Sequence, residues 1–107
     1  MTDDDAILRA KLNADTGQLE WRELERHFAR GVVIRVAAGV DLVEVALAMA
    51  RDDAATLRAW LADGRVAQAG AAEAGLWHAA GSRFWAVVVA PWVLVQEVAG
   101  HPSHRPN

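Results

Sequence analysis

The residues here that could do chemistry are four His, two Ser, scattered carboxylates and five Trp; there is no Cys. Without Cys there is no thiol nucleophile, disulfide or thiolate-bound zinc. A His acts as a base or ligand only with partners at suitable spacing. His27 sits beside Phe28, and His78 has no carboxylate four residues away on either side. His101 and His104 lie in a short polar tail that offers no closed set of ligands. All four read as ordinary surface or core-edge histidines. Asp3-Asp-Asp5 and Asp52-Asp53 fit helix capping. Glu20 and Glu23, with Arg26 and Arg30, read as a charged helix surface able to pair at helical spacing. No carboxylate pair sits isolated in an apolar stretch, as a tuned acid and base would. Ser82 and Ser103 lie in no nucleophile elbow, and no Gly-rich phosphate loop occurs. These spacings yield no catalytic residue, metal site or cofactor, and a non-enzymatic protein is expected.

The tryptophans carry more information. Trp21, Trp60 and Trp77 fall at helical core spacing. Trp60 is grouped with Leu57 and Leu61, so its truncation is expected to cost about 3–5 kcal/mol. Trp85 and Trp92 belong to Phe84–Val95, an uncharged block rich in Val. Such a run is a strand buried on both faces, or one that needs a partner. As one continuous strand it would place the two rings on opposite faces; a bulge at Pro91 would bring them to one face. Pro cannot donate to a ladder and points to an edge, a bulge or a break. An apolar edge strand is usually paired or covered. The chain is therefore expected to form a homodimer, with Trp85, Trp92, Val93 and Val95 as candidate interface residues.

These residues must be positioned by elements that the pattern also suggests. Thr2 and the acids after it start a helix to about Asn13, with Ile7, Leu8 and Leu12 inward. Asp15-Thr-Gly17 breaks it. A second helix spans about 20–30, with Trp21, Leu24 and Phe28 on one face. Val32–Val36 alternates as a strand. Asp41 and Glu44 open a third helix, about 42–51, apolar except for an edge of Glu44, Ala48 and Arg51. A fourth, about 54–63, ends at Gly64. A weak strand at 65–69 and a marginal helix at 71–80, anchored by Leu76 and Trp77, precede the apolar block. The expected class is α+β: about five helices on one face of a small, mainly antiparallel sheet of three to four strands.

Composition bounds the rest. A chain of 107 residues suggests one domain, here 1–100, with a disordered polar tail at 101–107. The start is acidic, unlike a signal peptide, and the block at 84–95 is too short to span a bilayer. A cytoplasmic protein with no membrane association is expected. The net charge is −3, and Arg residues mostly stand beside acids, which argues against nucleic acid as a partner.

Several blocks carry a resemblance. Trp21-Arg-Glu-Leu24, Phe28-Ala-Arg-Gly-Val32, Asp41-Leu-Val-Glu-Val-Ala46, Ala59-Trp-Leu-Ala-Asp-Gly64 and Trp85-Ala-Val-Val-Val-Ala-Pro-Trp-Val-Leu-Val-Gln96 resemble the domain of unknown function 2288 family of small bacterial proteins. The resemblance implies a stand-alone bacterial protein and transfers no catalytic residue. More loosely, residues 20–90 resemble a winged helix-turn-helix, with Leu42–Ala46 and Ala55–Leu61 as the helix pair. The would-be recognition helix offers only Arg58 as a cation, where groove-reading helices carry several polar and basic groups. Three functions stand: a self-associating interaction domain, a winged-helix DNA-associated regulator, or a small-ligand domain with an apolar pocket. A basic patch of Arg51, Arg58, Arg65 and Arg83 would favour the second.

Overall fold

Every central strand of this protein is apolar on both sides, and the architecture follows from covering both. The computed structural model describes residues 2–98. Its elements are α1 (Thr2–Asp15), β1 (Gly17–Glu20), α2 (Trp21–Ala29), β2 (Val33–Val36), α3 (Leu42–Ala50), α4 (Ala54–Asp63), β3 (Val66–Gln68), α5 (Ala71–Ala80), β4 (Arg83–Val89) and β5 (Trp92–Glu97). The strands form one mixed sheet in the order β1-β4-β5-β2-β3. Three neighbour pairs are antiparallel, and β2–β5 is parallel. The α+β class and the mainly antiparallel sheet agree with the sequence reading.

Three expectations are corrected. The sheet has five strands rather than three to four. The helices cover both faces rather than one: Ile34, Val36, Val87 and Leu94 share a core with Leu12 of α1 and Leu42, Val45 and Leu47 of α3. Val33, Phe84, Ala86, Val93 and Val95 share another with Trp21 and Leu24 of α2 and Ala74 and Trp77 of α5. Last, the block at 84–95 is not a sheet edge. It is a hairpin of two interior strands whose turn, Ala90–Pro91, contains a cis peptide bond. Pro91 lies in that turn, where no ladder bond is asked of it. The edges are β1 and β3, both short, which limits stray pairing.

Local chemistry fixes the helix ends. The Asp41 carboxylate accepts from the amides of Val43 and Glu44 at 3.0 and 3.3 Å. Asp53 accepts from the Thr56 amide at 3.3 Å and its hydroxyl at 2.8 Å. Gly64 closes α4 at a φ of 83°, a left-handed conformation that other residues adopt at a cost. The amide of Gly70 donates to Glu73 Oε1 at 3.3 Å, while Glu73 Oε2 lies 2.6 Å from Arg35 Nε. One carboxylate thus caps α5 and ties it to β2.

Some helix facings differ from the pattern. Ile7, Leu61 and Leu76 point outward, whereas their neighbours Leu12, Trp60 and Trp77 meet the core. Ala48, assigned to a wet edge, is buried. Trp60 is half-buried at the margin of its core. Trp60→Ala is therefore expected to lose about 1–2 kcal/mol rather than 3–5, because the ring packs at the margin of the core and part of it already meets water. Denaturant melts of wild type and variant measure the difference. For the winged-helix order in 20–90, α5 separates β3 from β4, and β3 pairs with β2. Those two strands form no wing hairpin.

Candidate functional site: a groove ending on Trp85

The β4–β5 register decides where the two late tryptophans point. Trp85 pairs with Gln96, Val87 with Leu94, and Val89 with Trp92. Residues of one antiparallel pair share a face, so Trp85 and Trp92 lie on the same side, under α1 and α3. The hairpin achieves this, not a bulge. The rings stand about 14 Å apart along the strand, four residues at the usual rise. Trp92 is half-buried against the core beside Val89, while Trp85 remains 39% exposed. The other two candidates are placed differently. Val93 and Val95 are buried on the opposite face, under α2 and α5, and are core rather than surface.

Trp85 closes one end of an open groove. Around the indole are Asn13 from the end of α1, Thr16 just after it, Leu42 and Val43 from the start of α3, and Gln96 from β5. The hollow holds about 360 Å³. A second hollow of similar size adjoins it and shares Asn13, Asp41 and Val43; its outer wall is Ala6, Arg9 and Ala10 of α1. Together they make a channel along the α1–α3 seam, with small side chains on one wall and an aromatic ring at the end. Ile7, exposed on α1, lies one position along from Ala6.

The seam is held by a few polar contacts. The Gln96 amide donates to Ala37 O at 2.8 Å and to Val40 O at 2.5 Å, anchoring the loop before α3 to β5. Thr16 Oγ1 donates to Leu12 O at 2.8 Å. Arg9 of α1 pairs with Glu44 of α3. The wall residues Asn13, Thr16 and Val43 carry no local signal of this role. Gln96 stood in the quoted motif, but only its two carbonyl partners reveal its role.

A larger hollow of about 640 Å³ lies beyond the 37–41 loop, against Trp60, and is lined by Asp41, Glu44 and Asp63. Its acids are already engaged: Asp41 caps α3, Glu44 pairs with Arg9, and Asp63 lies 3.2 Å from Arg65. Among the described residues no group of three His or carboxylates is arranged to hold a metal ion. His27 is half-buried on α2 and His78 is exposed on α5; His101 and His104 lie outside the described residues. The four cations proposed for a basic patch do not act together. Arg51 pairs with Asp5, Arg65 with Asp63 and Arg83 with Glu20, which leaves Arg58.

Fold and groove define a small α+β domain with a covered two-faced sheet and a surface channel ending on an indole. The chain belongs to the family described as "Protein of unknown function (DUF2288)", whose profile matches residues 7–97. It is similar to PA1075 of Pseudomonas aeruginosa, whose solution structure was determined by NMR. The two are 44% identical, with 92% of each chain covered and a TM-score of 0.77. No curated protein matches the chain. No helix among the described residues is long and apolar enough to cross a membrane.

Proposed function

We propose that this protein is a non-enzymatic interaction domain that self-associates through the α1–α3 seam and Trp85. The observation that carries the proposal is the exposure of Trp85 on an interior strand, at the end of a channel with largely small or apolar walls. Aromatic residues are enriched at protein interfaces and tend to anchor them. Small residues on α1 permit close approach of a second chain. A second copy suits the groove because closed two-fold pairs are the commonest soluble assemblies. The pairing of Arg51, Arg65 and Arg83 with acids supports protein contact over nucleic acid.

Light scattering coupled to gel filtration tests the proposal. Wild type is expected to elute as a dimer at micromolar concentrations and Trp85→Glu as a monomer with unchanged circular dichroism. Trp85 is far enough into solvent for the fold to accept the charge. A wild type that stays monomeric contradicts the proposal, as does a variant that remains dimeric.

A further inference from the structure

The second surface of interest is the outer face of α2. Arg22, Arg26 and Arg30 follow one another at i, i+4 and i+8, so they form one row with about 6 Å between successive positions. All three are exposed. Most other cations among the described residues are in ion pairs: Arg9 with Glu44, Lys11 with Asp15, Arg35 with Glu73, Arg51 with Asp5, Arg65 with Asp63 and Arg83 with Glu20. Arg22, Arg26 and Arg30 have no such partner among the described residues, and neither has Arg58. The helix dipole favours Arg26 and Arg30 near the C-terminal end of α2, but it disfavours Arg22 in the first turn. A dipole role therefore does not account for the row. The first Arg also borders a shallow hollow of about 390 Å³ with Gln18, Glu20, Glu23 and Arg83.

We infer that the outer face of α2 docks an acidic helical segment of a partner protein. Carboxylates at i, i+4 and i+8 of a second helix repeat at the same interval as the three guanidinium groups. Arg is suited to such contacts because its planar fork accepts carboxylates in two-point geometry. Nucleic acid fits less well: its backbone calls for a broad basic field, whereas apart from Arg58 the other cations among the described residues are held in ion pairs. A second copy also fits less well. The acids of the α3–α4 side lie across the sheet from α2, so pairing them with the row would give a head-to-tail contact rather than the commoner two-fold pair. The inference is independent of the Trp85 proposal, because α2 and the groove are on opposite sheet faces.

The test is fluorescence anisotropy with a labelled helical peptide carrying Glu at every fourth position, at low and high salt. Wild type is expected to bind the peptide, with binding lost at high salt. The R22E/R26E/R30E variant is expected to bind about tenfold more weakly or worse, and R58E as wild type does. Circular dichroism checks each fold, and R22Q/R26Q/R30Q replaces the reversal variant if that one does not fold. No wild-type binding, equal binding by the triple variant, or equal loss in R58E overturns the inference. Tighter binding to a single-stranded DNA oligonucleotide than to the peptide also overturns it, by assigning the row to nucleic acid.

Discussion

Phe84→Ala is expected to lower the unfolding free energy by about 3–5 kcal/mol, the usual cost of emptying a large aromatic site in a core. Phe84 is fully buried on β4, and its ring meets Trp77 edge-on at 4.9 Å. Trp77 in turn stacks obliquely with Trp21 at 6.0 Å, and Trp21 with Phe28 at 5.8 Å. This aromatic chain joins α2 and α5 to the sheet. Removing Phe84 leaves a cavity that a rigid interior strand cannot close, so relaxation recovers little. Urea melts of wild type and variant measure the loss. A change below about 1 kcal/mol would mean that the site collapses freely or that Phe84 is not central.

Val95→Asp is expected to prevent folding altogether. Val95 is fully buried on β5, between β4 and β2, with α2 and α5 above it. An ionised carboxylate there has no partner and no water, and its penalty rivals the whole stability of a small domain, about 5–15 kcal/mol. The variant should be found in the insoluble fraction or give a collapsed NMR spectrum. Read as part of an edge strand, this position would yield a folded monomer when charged. A soluble, well-dispersed Val95→Asp protein would contradict the interior placement of β5.

The contrast at Val95 shows which parts of the fold local sequence can express. Helices α3, α4 and α5 were legible because their ends are local chemistry: Asp41 and Asp53 cap amides, and Gly64 and Gly81 take left-handed conformations. Strand β1 reads locally as a break. Gly17–Glu20 has one apolar residue, Leu19, and becomes a strand only by pairing with β4 more than sixty residues away. The hairpin was hidden because Ala90–Pro91 lacks the Asn-Gly or Asp-Gly pattern of common tight turns. Without that signature the run 84–98 reads equally as one bulged strand or as two, and the edge reading rests on Pro91 alone. The apolar run itself was sound evidence that both faces needed cover.

The candidate site was legible to the same extent. Trp85 stands out as an aromatic residue in a strand, and it is 39% exposed. Sequence proximity sets Val93 and Val95 beside it, but alternation puts them on the other face. Asn13, Thr16, Val43 and Gln96 come together only after the register brings β5 against the loop before α3. Periodicity within one segment carries no signal for a groove built between three.

Self-association through the Trp85 groove requires that groove to face a second copy of the chain. The most direct measurement is an isotope-filtered NOE experiment on an equimolar mixture of labelled and unlabelled protein, which detects only contacts between molecules. Intermolecular NOEs are expected from the Trp85 indole to methyl groups of Val43, Ile7 or Ala10. A spectrum in which the Trp85 indole gives no intermolecular NOE, or in which they arise from another surface alone, would contradict it.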